Sequence, residues 1–178
     1  MIALIAGTNR PQSRTRVVTD ALHDILIHKA DHEIGQINLE DIAHDIYNED
    51  MYSKESHHEQ LSDIQDSVLL ESDLWVIVSP EYNGSFPGAL KMLIDALSVR
   101  KYAETFKGRK VALVGVAAGR AGNLRGMDHL TGLLNYLGMH VYPNKLPVSS
   151  IEKQMNGDEL GEDAIKTLES WADGVVEY

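Results

Sequence analysis

Ile2-Ala3-Leu4-Ile5-Ala6 is a short, unbroken apolar run that ends in the polar loop Gly7-Thr8-Asn9-Arg10-Pro11-Gln12-Ser13. A run of this length and continuity suits a strand buried on both faces, as in a parallel sheet covered by helices. Beyond the loop, Val17, Val18, Ala21, Leu22, Ile25 and Leu26 recur at helical spacing and make one apolar stripe. Strand, polar loop and amphipathic helix form one unit, and the unit recurs. Leu74 to Val78 and Val111 to Val116 are further continuous strands, with Ile34 to Leu39 and Met139 to Tyr142 as weaker ones. Helical stripes follow at Leu61-Ile64-Val68-Leu69, Ala89-Leu90-Leu93-Ile94-Leu97, Leu130-Leu133-Leu134-Leu137 and from Ala164 to Val176. The fourth of the five stripes stops at Gly138, a suitable residue just past a helix end. Alternating strands and helices imply a doubly wound α/β sandwich.

The 178 residues, 43% apolar and 24% charged, suit one globular domain spanning 1–178. With 16 basic and 27 acidic side chains the formal charge is −11, which opposes a general nucleic-acid or anionic-membrane surface. Cysteine is absent, so disulfides, zinc–thiolate sites and cysteine catalysis are excluded. There is no basic leader and no run near the ~20 apolar residues of a membrane span, so the expectation is a soluble cytoplasmic protein. The stretch from Glu40 to Glu59 is acidic, contains histidines and is long for a loop in such a fold.

Ligands of open α/β sheets bind beyond the carboxyl ends of the strands, where strand order reverses. The connections there are the first, Gly7 to Ser13, the third, Ser79 to Pro87, and the fourth, Ala117 to Arg125, all rich in Gly, Pro, Asn, Ser and Arg. In the first, Ser13 can cap the following helix, and loop amides with the helix N-terminus form an anion site. Arg10, Arg14 and Arg16 oppose the helix dipole, a conflict that a bound phosphate resolves. A capped helix with solvated arginines would use the same residues. No Walker loop and no Gly-x-Gly-x-x-Gly is present. In the third connection Asn83-Gly84 marks a turn, Pro87 suits a helix start, and Tyr82 and Phe86 offer walls for a flat ligand. The fourth, Ala117-Ala118-Gly119-Arg120-Ala121-Gly122-Asn123-Leu124-Arg125, has small residues that permit close backbone approach.

Ser79-Pro80-Glu81-Tyr82-Asn83-Gly84-Ser85-x-Pro87-Gly88-x-Leu90-Lys91-x-x-Ile94-Asp95 closely resembles the signature of the NADPH-dependent FMN reductase family, whose members include quinone, azo-dye and chromate reductases. The first loop matches that family's Gly-Ser-x-Arg-x-x-Ser pattern with Thr8 at the second position, and the likeness runs from Ile2 to about Val148. The resemblance implies a flavodoxin-like three-layer α/β/α sandwich with a five-stranded parallel sheet in order 2-1-3-4-5. It implies FMN and NADPH (or NADH) as cofactors, with the flavin carrying the chemistry and no catalytic side chain required. Arg10, Ser13 and Thr15 would hold the FMN phosphate, with Thr8 a further cofactor-binding residue of the same loop. Pro80, Glu81, Tyr82, Asn83 and Gly84 would line the isoalloxazine, mainly through backbone groups, with Ala118, Gly119 and Arg120 beside it. Arg120 or Arg125 would stabilise negative charge on reduced flavin or meet NADPH. Two departures stand out: Thr15 replaces a frequent Asn, and Leu97 a frequent Trp. The partners implied are a small-molecule electron acceptor and further copies in a homodimer or homotetramer.

Acceptor choice would fall to walls near Tyr47, Met51, Tyr52 and Phe86. Arg100, Lys101, Lys107, Arg109 and Lys110 form a basic patch, read either as a charged connection or as an attractor for the NADPH 2′-phosphate. His28 with His32, and His57-His58 with Glu55 and Glu59, lack a persuasive metal-site spacing. No Gly-x-Ser-x-Gly elbow is present. The competing reading is a flavodoxin-like electron carrier, or a flavin-binding regulatory protein, without NAD(P)H turnover. The chain's acidity fits a carrier, whereas the Arg10-x-x-Ser13 arrangement fits a reductase.

Overall fold

The computed structural model describes residues 1–42, 49–53 and 58–178. Strand β1 (Ile2–Ala6) pairs in parallel with β2 (Ile34–Asn38) on one side and β3 (Leu74–Pro80) on the other. Strand β4 (Lys110–Val116) follows β3, and the sheet runs in the order β2-β1-β3-β4-β5. Its last position is shared by two short segments, β5 (His140–Val141) and β6 (Leu146–Val148), both parallel to β4. The fifth strand expected over Met139 to Tyr142 is therefore a pair of pieces. Residues 142–145 separate them.

Side-chain alternation along the buried strands splits the core into two halves, one per face. Ile2, Leu4, Val76, Val78, Ala112 and Val114 pack with α1 (Arg14–Lys29) and α6 (Glu162–Val176). Ala3, Ile5, Trp75, Ile77, Val111 and Leu113 pack with α3 (Gly88–Leu97) and α5 (Leu124–Tyr136). Each large aliphatic side chain buried in this way contributes roughly 1.5–3 kcal/mol. The short helix α2 (Glu59–Ile64) continues into a wider π-type turn at Gln65–Leu69, and α4 (Tyr102–Phe106) precedes β4. Helix α5 stops as expected: Gly138 takes φ +89. The polar stretch before α6 holds a small hairpin of β7 (Met155–Asn156) and β8 (Glu159–Leu160).

With β1, β3 and β4 adjacent and parallel, their carboxyl ends lie side by side. The three connections singled out in the sequence therefore leave from one edge.

Candidate functional site at the carboxyl edge of the sheet

The first and third connections meet directly. Thr8 Oγ1 lies 3.0 Å from the Tyr82 hydroxyl, and the same oxygen accepts from the Arg10 amide at 3.2 Å. Gly7 makes this approach possible: its amide donates to Val78 O at 2.8 Å. A Cβ there would stand 3.0 Å from that oxygen and 3.1 Å from Leu90 Cδ2. Its value is thus the lack of a side chain, and its φ is not positive.

Ser13 caps α1, its Oγ accepting from the Arg16 amide at 3.1 Å. The amides of Arg14 and Thr15 have no acceptor among the described residues, so the helix begins with donors facing outward. Thr15 is buried, and Gln12 ahead of it adopts φ +53. The three loop arginines separate by partner. Arg14 forks onto Glu152, whose hydrogen bonds raise the Arg14 pKa, and Arg16 binds Asp20 and Glu40. The Arg10 side chain has no partner among the described residues.

The third connection is built around a tight turn. Tyr82 and Ser85 exchange backbone bonds at 2.9 and 3.0 Å, with Asn83 at φ +52 and Gly84 at φ +76. Both central residues are left-handed, the geometry for which Asn-Gly is the preferred pair. The Glu81 amide donates to Val116 O at 3.0 Å, and Ser85 Oγ lies 3.0 Å from His129 Nδ1.

Asn123 ties the fourth connection to the third. Its fully buried amide nitrogen donates to Ser79 O and Pro80 O, each at 2.9 Å, from a left-handed backbone at φ +61. Its Oδ1 has no partner among the described residues.

These contacts enclose a cleft of about 730 Å³. Thr8, Arg10, Ser13 and Thr15 line its first-loop side, and Pro80, Glu81, Tyr82 and Ala118 the opposite side. Asn83, Gly84, Gly119 and Arg120 lie on the same connections but outside that lining. Arg125 stands beside the turn, its NH1 3.6 Å from where a Gly84 Cβ would be. Phe86, expected as a wall, instead packs half-buried against the α3–α5 half of the core. Tyr47 falls outside the described residues; Tyr52 is exposed. Glu152 and Asp158, which complete the lining, carry no local sequence signal, since only the return of the chain after β6 brings them there.

Most of the basic patch is engaged away from this cleft. Arg100 and Lys101 pair with Asp66, and Arg109 donates to the carbonyls of Thr105, Glu104, Leu70 and Ser72. Burial lowers the Arg109 pKa. Lys110 begins β4 at the opposite edge of the sheet. Arg10, Arg120 and Arg125 are the arginines whose side chains have no partner of any kind among the described residues; Arg10 and Arg120 lie on connections at the carboxyl edge, and Arg125 in the first turn of α5. No group of three or more metal-ligating side chains occurs among the described residues. His57 falls outside them, and His58 caps α2, Nδ1 accepting from the Gln60 amide at 3.3 Å. Nor is any helix among them long and apolar enough to cross a membrane.

A helix start with free donors, an unpaired arginine and a cleft within the size range of cofactor sites suit a phosphorylated, partly flat ligand. The class defined is a flavodoxin-type α/β sandwich with a nucleotide-like cleft at its strand ends. Residues 1–153 match the model for NADPH-dependent FMN reductases, and the chain belongs to that family. It is an FMN-dependent NAD(P)H oxidoreductase. An NADPH azoreductase of Bacillus sp. (strain OY1-2) is 27% identical over 165 residues, 92% of this chain and 83% of that protein. A 2-hydroxy-1,4-benzoquinone reductase of Burkholderia sp. is 25% identical over 175 residues, 97% and 92% of the two chains. The solved structure of FerB, a flavoenzyme NAD(P)H:(acceptor) oxidoreductase from Paracoccus denitrificans, shares the fold, with a TM-score of 0.82 at 22% identity over 99% of this chain and 95% of that one.

Proposed function

We propose that the cleft binds FMN with its phosphate at the start of α1 and its ring along the third connection, and that the acceptor is a small quinone, azo compound or free flavin. The acceptor class is supported by the azoreductase and benzoquinone reductase among the relatives. The observation that carries the placement is the Thr8–Tyr82 hydrogen bond, which closes both loops around one cleft. The chemistry FMN supplies when bound is hydride acceptance from NAD(P)H and delivery of reducing equivalents to a second substrate.

The side chains bind and orient. Ser13 Oγ spends one lone pair on the Arg16 amide and keeps its proton to donate to a phosphate oxygen, alongside the amides of Arg14 and Thr15. Arg10 adds charge without first giving up a partner, and the Thr15 hydroxyl adds a neutral donor. Pro80, Glu81 and Tyr82 present a backbone fixed by Asn123 and Val116, while Asn83 and Gly84 hold the turn beside it. Ala118, Gly119 and Arg120 form the far rim. With no acid–base pair required of the side chains, these residues would hold and orient FMN, and the flavin would supply the redox chemistry.

Residues 1–178 act as a single cytoplasmic domain in a homodimer or homotetramer, with exposed Met92 on α3 and Leu124 on α5 as apolar surface for association. The test is anaerobic. FMN-loaded protein mixed with NADPH or NADH should bleach, then recover its yellow colour through repeated cycles when a quinone is added. Absence of bleaching with both dinucleotides would instead leave a flavin carrier.

A further inference from the structure

The first turn of α1 contains no acidic side chain, yet it carries Arg14 and Arg16 against the helix dipole. Arg16 is neutralised by Asp20 on its own helix and by Glu40 just beyond β2. Arg14 is held differently. Its Nε and NH2 meet the two carboxylate oxygens of Glu152 at 3.2 and 3.1 Å, and both residues line the cleft together with Asp158. Glu152 sits on a turn fastened to the fourth connection: the Ile151 amide donates to Ala117 O at 3.0 Å, and the Ser150 amide to Gly119 O at 2.9 Å.

We propose that Arg14 is a further ligand for the cofactor phosphate, held in reserve by Glu152, and that this pair sets how tightly the cleft retains FMN. The proposal rests on the placement of the FMN phosphate at the start of α1. The pair is a weak restraint, because the Arg14 and Glu152 side chains are 34% and 61% exposed. A phosphate, with about −1.5 to −2 charges, is the stronger partner for a guanidinium. Arg14 needs only to turn from one wall of the cleft toward the helix start, and the released carboxylate is already largely in water.

Glu152 consequently acts in opposite senses depending on its neighbour. Paired, it occupies an arginine that would otherwise attract phosphate. Unpaired, it becomes a bare carboxylate beside Asp158 on the same cleft, repelling phosphate.

The test titrates flavin-free protein with FMN and, separately, with riboflavin, which lacks the phosphate, following flavin fluorescence. Glu152→Gln should tighten FMN binding about fivefold, since Arg14 is freed from an exposed pair. Arg14→Gln should weaken it by about tenfold, because a ligand is lost and a carboxylate is uncovered. The double variant should fall between the two, close to wild type. Riboflavin affinity should stay the same in all three. Raised salt should shrink the differences. If both single variants weaken FMN binding and lower the melting temperature alike, the pair is a structural tie and the proposal fails. If riboflavin shifts as much as FMN, Arg14 does not act on the phosphate, and the proposal fails again. Wild-type protein that binds riboflavin and FMN equally would overturn the phosphate placement itself, whatever the variants do.

Discussion

The hydroxyls of Thr8 and Tyr82, 74 residues apart in sequence, lie 3.0 Å from each other at the mouth of the cleft. Thr8 is buried and also receives the Arg10 amide, so its oxygen orders the first loop while touching the third. Tyr82→Phe removes only the tyrosine end of this tie and leaves the Arg10 contact in place. A neutral hydrogen bond contributes about 0.5–1.5 kcal/mol net. FMN affinity should therefore fall roughly threefold to tenfold, with a melting temperature close to wild type. Titration calorimetry checks it; an unchanged Kd would show that the two loops are positioned independently.

Asn123 should matter more to stability than its place in a loop suggests. Its amide nitrogen serves the carbonyls of both Ser79 and Pro80, inside the protein. Asn123→Ala strands these acceptors, at a cost of about 1–3 kcal/mol each when no water replaces the donor. The left-handed backbone at this position disfavours alanine as well. Asn123→Asp should be worse, since it turns a donor into a charge facing two carbonyls. Urea unfolding should rank wild type above the alanine variant and alanine above aspartate. Aspartate at least as stable as alanine would contradict the hydrogen-bond assignment.

The strands that create the cleft were readable because β1, β3 and β4 are buried on both faces, which leaves continuous apolar runs with one available interpretation. The fifth position was less so. His140–Val141 is too short to carry a periodicity, and Leu146–Val148 resumes the pairing with β4 only after a four-residue break. At the site, Ser13 and the Asn83-Gly84 turn were legible because caps and left-handed turns restrict residue type locally. What separates Arg10 from Arg14 and Arg16 was not, because it depends on carboxylates supplied by Glu152 and Glu40. Asn123 was hidden for a related reason: it binds backbone carbonyls, which every residue possesses. Phe86 shows the reverse case, an aromatic in a ligand loop that also packs, half-buried, against the core.

Two glycines, one in the third connection and one in the fourth, should behave oppositely. Gly84 has room around it but a φ of +76, so Gly84→Val forces a β-branched residue into a left-handed turn position. The turn should distort, with flavin content falling sharply. Gly119 has no positive φ and nothing within 4 Å of an added Cβ. Gly119→Ala should thus leave thermal stability within about 0.5 kcal/mol of wild type. Any loss of FMN affinity in that variant then reports contact with the flavin. Normal flavin content in Gly84→Val would count against the third-connection placement of the ring.

Gln65 provides the contrasting case, a buried polar residue remote from the cleft. It begins the wider turn after α2, and its amide nitrogen lies 3.1 Å from Leu97 O, 2.8 Å from Arg100 O and 2.7 Å from Thr105 Oγ1. Its oxygen accepts from Arg100 at 3.1 Å. The network joins the end of α3 to α4, and α3 runs back from the carboxyl edge of the sheet, so these bonds lie toward the other edge. Gln65→Leu keeps a similar volume but leaves the carbonyls of Leu97 and Arg100 without this donor. The expected loss is about 2–6 kcal/mol, since each of the two buried acceptors left unsatisfied costs about 1–3. For a chain of this size, that lowers the melting temperature by roughly 4–24 °C. FMN affinity of the folded variant should nonetheless remain within about twofold of wild type, because distant sites are nearly independent. A large loss of FMN affinity in folded Gln65→Leu protein would mean that the α3–α4 corner and the cleft move together, and that the cleft is not set by its three connections alone.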